Sequence, residues 1–187
     1  QGVTLKPLSK EAIAELLAQA FDPEVDGNLF LTFLSHYKAN QVSSERMGAL
    51  VSEMLDKERG DLFLSLFEKI YQAYAAHLEQ SGEIDFQDQI NLSCSALEAG
   101  SYRHGFKYVL VDEFKDTAQD RKRLLTAILS KDVETKLFAV GEDWQSIYRF
   151  AGSDIDIMTR FEDHFGPTAT RYLTQTYRSF GGIVKTA

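Results

Sequence analysis

Two apolar runs, each ending abruptly on carboxylates, constrain this chain more than any other feature. Tyr108, Val109, Leu110 and Val111 form the first, and the chain passes at once into Asp112 and Glu113. The run does not alternate between apolar and polar residues, which predicts a parallel strand buried on both faces. Leu137, Phe138, Ala139 and Val140 form the second run, followed by Gly141, Glu142 and Asp143. Between the two, residues 118–131 place Leu124, Leu125, Ile128 and Leu129 at helical spacing, with Asp120, Arg121, Lys122 and Arg123 read as solvated positions. A strand–helix–strand crossover is right-handed and lays its strands parallel, so both acidic turns are expected on one edge of one sheet. That edge, beyond the carboxyl ends of the strands, is where open α/β sheets bind ligands. A strand-terminal aspartate there is the usual magnesium holder of a nucleotide-binding fold.

Charge bears on which partner such a site takes. The 187 residues carry a net charge of -8, which argues against a basic arm or wholesale phosphate binding. The excess is uneven: residues 1–100 hold 7 Lys/Arg against 16 Asp/Glu, and residues 101–187 hold 13 against 12. The half with the acidic turns is thus nearly neutral, and a nucleic-acid partner stays open. Cys94 is the single cysteine, which excludes an internal disulfide, suits a reducing, cytoplasmic setting and reads as a small buried hydrophobe in a helix. No apolar run approaches the roughly 20 residues of a membrane span, and no membrane partner is expected.

The first half reads as all-helical. Ser9 caps a helix expected to end near Phe21, and residues 28–40 put Phe30, Phe33, Leu34 and Tyr37 on one stripe. Residues 44–59 repeat the pattern with Met47, Leu50, Val51 and Met54 and are expected to close at Gly60. Asp61 then caps a long helix bearing Phe63, Leu64, Phe67, Ile70, Tyr71 and Tyr74 and ending at Gly82. These aromatics read as core. Asp85 opens the next helix as its cap, and that role accounts for it fully.

The wording around the two acidic turns is specific. VDEFKDT, then VGEDWQSIYRFAGS, then LTQTYRS resemble motifs II, III and IV of the UvrD/Rep-type superfamily 1 DNA helicases, nearest the helicase IV branch, in the family's order and at its spacing. The resemblance covers residues 84–179. It implies an α/β fold, a RecA-like parallel sheet (part of a P-loop NTPase domain) with an inserted α-helical subdomain, three-layered in its second half. Residues 1–82 would be the helical insertion and 83–187 the later part of the first RecA-like ATPase domain.

The resemblance also implies roles. Asp112 would hold Mg²⁺ through water, and Glu113 would be the general base. Gln145 would contact the γ-phosphate of ATP, and Arg178 would be an arginine finger, whose planar fork suits an anionic transition state. Tyr148 and Phe150 would stack on the bases of single-stranded DNA at roughly 1–3 kcal/mol each. Trp144 reads instead as part of a packed aromatic turn. The chain departs from the family pattern at Lys115, Thr176 and Ala151, where relatives mostly carry glutamine, asparagine and often arginine. No G-x-x-x-x-G-K-[ST] occurs, so the lysine and backbone nest that cradle phosphates are missing from these residues. The expectation is an internal piece of an ATP-dependent helicase that acts on single-stranded and duplex DNA, inactive by itself. One alternative is a degenerate DNA- or protein-binding module. Another is a different Mg²⁺ enzyme built on Asp112, Glu113 and Asp143.

Overall fold

The computed structural model describes residues 6, 7, 9, 12, 15, 27–146, 152–178 and 181. In chain order the elements are β1 (Lys6–Pro7), α1 (Gly27–Asn40), α2 (Ser44–Ser52), α3 (Lys57–Ser81), β2 (Glu83–Ile84), α4 (Phe86–Glu98), β3 (Tyr108–Val111), α5 (Gln119–Lys131), β4 (Lys136–Ala139), α6 (Asp156–Thr159) and α7 (Phe161–Phe165). Short 3-10 turns at Phe114–Asp116 and Asp143–Gln145 follow β3 and β4. Ser9 does cap a helical start, its Oγ accepting from the Ala12 N–H at 3.2 Å. Most of the helix expected to run to Phe21 lies outside the described residues.

Aromatic packing assembles the helical half. Phe30 and Leu34 of α1 and Phe67, Ile70, Tyr74 and Leu78 of α3 are buried together, with Phe33, Tyr37, Phe63 and Tyr71 against them. Phe33 and Phe67 meet edge to face at 4.6 Å, and Tyr37 and Tyr71 at 5.1 Å. Each such pair adds about 0.5–1.5 kcal/mol beyond the area it buries. The helix boundaries between 44 and 61 differ from expectation. α2 stops at Ser52, and the Asp56 carboxylate, not Asp61, caps α3 by accepting from the Arg59 N–H. Gly60 therefore lies inside α3 and does not terminate the previous helix. It is buried, and a Cβ there would come within 2.8 Å of Val51 Cγ1, so glycine lets α2 and α3 approach. At the other end Gly82 takes φ +67, the left-handed turn that closes α3.

The first half is not purely helical. Lys6 and Pro7 pair in parallel with Glu83 and Ile84, joining the residues ahead of the helices to those just after them. α4 then packs along α5, and α1 touches both. Arg123 of α5 binds Glu98 of α4, holding that carboxyl below its ordinary range. Cys94 is fully buried, as expected.

β3 and β4 pair in parallel, Tyr108 opposite Lys136 and Val111 opposite Ala139. One face of this ribbon carries Val109, Val111, Leu137 and Ala139, which pack on Phe114, on Leu125 of α5, on Ile157 and Met158 of α6, and on Phe161 and Phe165 of α7. The other face is open: Leu110 is 74% and Phe138 61% exposed. The expectations of doubly buried strands and of three layers are thus corrected to two layers among the described residues. An unbroken apolar run marks residues suited to burial on both faces, whereas burial itself requires a second layer. Asp120 reverses the other way. It is buried in the first turn of α5, its Oδ1 accepting from the Arg121 N–H at 2.6 Å, and burial raises its carboxyl above the ordinary value.

Candidate functional site

The local fold after β3 follows from Phe114. Its ring is buried against Phe161 and Phe165, so the chain must turn at once to keep it inside while the flanking acids stay in water. Glu113 absorbs the turn with φ 49 and ψ 43, a left-handed conformation that non-glycine residues rarely adopt and that often marks a functional position. Asp112 steadies it, Oδ1 accepting from the Glu113 N–H at 2.8 Å. Three further bonds, Asp116 N–H to Glu113 O, Thr117 N–H to Phe114 O and Asp154 N–H to Thr117 O, fix the turn at 2.9, 3.1 and 3.0 Å.

The turn after β4 docks onto it. The ladder extends one step, Val140 N–H donating to Val111 O at 2.9 Å, and then crosses as Phe114 N–H donates to Val140 O at 2.8 Å. Gly141 makes this possible. A Cβ there would lie 3.1 Å from the Lys115 nitrogen and 3.2 Å from the Phe114 nitrogen, and both of those are backbone that cannot step aside. The strands are therefore parallel neighbours, and the acidic turns at Asp112–Glu113 and Glu142–Asp143 open together at their carboxyl ends, as expected.

Lys115 occupies the seam. Though it stands among solvent-facing acids, it is 5% exposed. Its Nζ donates to Glu113 Oε2 at 2.7 Å and to Gln145 Oε1 at 3.3 Å. The Gln145 amide nitrogen donates in turn to Glu142 Oε2. The structure thus brings Glu113 and Gln145 together through Lys115, a position at which the chain departs from the family pattern. No local spacing signals this: side chains two residues apart do not ordinarily face each other along a helical turn, and here the pair meets across the left-handed backbone of Glu113. The Glu113 carboxylate holds the Lys115 ammonium above its ordinary value, so it is charged at neutral pH.

Other assignments fare differently. Asp112 is exposed, and among the described residues no donor reaches its Oδ2 and no cluster of three His, Cys, Asp or Glu forms a protein-only metal cage. One carboxylate backed by waters and nucleotide oxygens is the donor set Mg²⁺ takes in nucleotide sites, so these residues fit that ion. Trp144 is 92% exposed, which corrects the packed-turn expectation: the 3-10 turn points its ring outward, and its backbone N–H donates to Asp143 Oδ1 at 2.9 Å. Arg178 is exposed, its N–H donating to Thr176 Oγ1 at 3.3 Å, and among the described residues no hydrogen bond or ion pair joins it to the acidic turns. Tyr148, Phe150 and Ala151 lie outside the described residues.

A family model, the UvrD/REP helicase N-terminal domain, matches residues 3–166. The chain belongs to this family. Among UvrD/REP relatives, it is 37% identical over 144 residues to DNA helicase IV of Escherichia coli (strain K12), an alignment covering 73% of this chain and 21% of that protein. It is 30% identical over 140 residues to the ATP-dependent DNA helicase PcrA of Staphylococcus epidermidis, covering 72% of the chain and 19% of the relative. PcrA of Staphylococcus aureus (strain Mu50 / ATCC 700699) is 31% identical over 136 residues, covering 70% and 18%. The chain therefore spans about a fifth of the length of these relatives. No helix among the described residues is long and apolar enough to cross a membrane.

Proposed function

We propose that this chain supplies the hydrolytic carboxylates and the phosphate-contacting turn of an ATP-driven DNA helicase that translocates on single-stranded DNA and unwinds duplex. The observation that carries the reading is the joining of the two acidic turns at the strand ends, with Phe114 N–H bonded to Val140 O and Lys115 spanning Glu113 and Gln145.

In this reading Glu113 takes the proton of the attacking water. It suits the task by being a solvent-facing carboxylate on a turn braced at both ends. Asp112 would hold Mg²⁺ through water, and such an ion would supply neutralisation of the charge that develops on the phosphates. Gln145 contacts the γ-phosphate with its amide, and in the sequence it precedes Tyr148 by three residues and Phe150 by five, the residues proposed to stack on DNA bases. Arg178 is the proposed arginine finger, a role that requires the 171–178 segment to approach the turns when nucleotide binds. The two-layer α/β half corresponds to part of a RecA-like domain within 83–187, and residues 1–82 to its helical insertion. The pairing of Lys6–Pro7 with Glu83–Ile84 supports this, because an inserted segment must leave and return at nearly one place.

The test is made on the longest natural polypeptide that contains these 187 residues. Glu113→Gln should lower DNA-stimulated ATP hydrolysis at least about 100-fold while ATP and single-strand binding stay within a few-fold, because it removes a base and no phosphate donor. Full turnover by Glu113→Gln would refute the assignment. The 187-residue chain alone, without a phosphate-cradling lysine, should show no DNA-stimulated ATPase.

A further inference from the structure

We propose that Lys115 is a positioning residue of this site: its buried ammonium ties the Glu113 carboxylate to the Gln145 side chain, so that base and phosphate-contacting amide move as one unit. The inference rests on the roles given to Glu113 and Gln145 above and deepens them.

The anchorage of Lys115 is rigid. Its backbone nitrogen lies close under Gly141, where an added Cβ would sit at a tight 3.1 Å, and its neighbours Phe114 and Thr117 are both buried. A flexible four-carbon stem is thereby held at its root, and its tip is fixed by Glu113 at 2.7 Å and Gln145 at 3.3 Å. An ammonium shielded from water requires such partners, since an unpaired buried charge is costly. The partners come from different strands. Glu113 belongs to the turn after β3 and Gln145 to the turn after β4, so the lysine is the side-chain link between them.

Hydrogen-bond inventory adds direction. Gln145 is held at both ends of its amide, oxygen by Lys115 and nitrogen by Glu142, and can turn toward a phosphate only by exchanging one of these bonds. Exchanging the Lys115 bond releases one of the ammonium's three donors at the base. Occupancy of the phosphate position is thereby transmitted to Glu113. A mere counter-ion for Asp112, Glu113, Glu142 and Asp143 would stabilise the turns without transmitting anything, and this is the alternative to exclude.

Two measurements decide. The first uses the 187-residue chain with ¹⁵N-labelled lysine and observes the Lys115 ammonium by NMR. A protected signal that shifts in both Glu113→Gln and Gln145→Ala is expected, and a signal unmoved by either overturns the tie. The second is the steady-state ATPase of the longest natural polypeptide. Lys115→Met should lower kcat about 10- to 100-fold with KM within about 2-fold. Lys115→Gln, which keeps two donors and loses the charge, should recover at least about 3-fold of that loss. Lys115→Met with Gln145→Ala should be no slower than the worse single variant, because residues acting as a unit are non-additive. Multiplying losses, or a Lys115→Met enzyme with full kcat beside a dead Glu113→Gln, would overturn the inference and leave the proposed function standing. An active Glu113→Gln would overturn the proposed function, with the NMR signal still deciding the tie. Should Lys115→Met fail to fold, Lys115→Gln and the wild-type spectrum carry the test.

Discussion

Among the described residues each half buries one lysine against acids, and the two do opposite things. In the helical half Lys38, 8% exposed, reaches from α1 to the start of α4, where Asp85 and Asp88 each hold it at 2.6 Å. The Tyr74 hydroxyl donates to the same Asp85 oxygen at 3.0 Å, and Asp85 and Asp88 form the capping box of α4. Desolvation, together with Asp85, pushes the Tyr74 phenol far above its ordinary value. The network is closed, and it staples three helices. Lys115, equally buried, holds a Glu113 side chain that is 64% exposed and a Gln145 in water. Burying a charge pair rarely stabilises much by itself, but breaking a closed one is costly because it strands a charge. Partners that face solvent can be exchanged for a ligand. The contrast therefore separates a fastening from a site by where the partners look, not by the charge that is buried.

The sharpest way to break the comparison is to remove an acid from each network. Asp85→Ala strands Lys38, deletes the α4 cap and frees the Tyr74 hydroxyl, and should cost about 3–5 kcal/mol in urea unfolding. Glu113→Gln should cost no more than about 1 kcal/mol, its loss appearing in hydrolysis. Equal stability losses would make both lysines structural. Next in size is a pair that sequence alone ranks alike. Phe67→Ala in the aromatic core should cost about 3–5 kcal/mol, while Leu110→Ala on the open sheet face should stay within about 0.5 kcal/mol. A large loss at Leu110 would mean that the face is covered in solution.

Two close-approach glycines extend the contrast. Gly141→Ala presses a methyl group on backbone nitrogens and should cost about 1–3 kcal/mol by thermal unfolding. Gly60→Ala would bring a methyl group within 2.8 Å of Cγ1 of buried, stiff Val51, and the helix propensity it gains offsets part of that overpacking, so its net cost should be about 1–2 kcal/mol. The smallest effect concerns Asp120. Burial raises its folded-state pKa, so the folded protein binds the proton more tightly than the unfolded chain. Stability on this account is present at acid pH and declines as pH rises from the unfolded carboxyl value through the folded one. Asp120→Asn keeps the bond to the Arg121 N–H and removes the decline. Above that window it should gain up to about 1 kcal/mol, or roughly 2–4 °C in Tm, and at low pH nothing. A loss at neutral pH would show that the charge is wanted there.

Periodicity and turn chemistry are local, and they were legible. Apolar stripes marked α1, α3 and α5. Val109 and Leu137 could be placed in parallel strands from the helix between them, and motif wording singled out Asp112, Glu113 and Gln145. The α2–α3 boundary was misread because Asp56 and Asp61 are both competent caps, and only the approach of Val51 to Gly60 chooses between them. Burial is a property of neighbours. Whether Leu110 or Phe138 is covered depends on a layer that no strand pattern encodes, and Asp120 and Trp144 were misplaced for the same reason: one is enclosed and the other displayed by packing around it. The sequence by itself determined the family, the β3–α5–β4 unit and the acids at its strand ends, because those depend on residues near one another in the chain. Only tertiary structure decided that Lys115 bridges Glu113 to Gln145 while Lys38 is sealed between Asp85 and Asp88, because those contacts join segments 30 to 50 residues apart and depend on how the turns and helices dock.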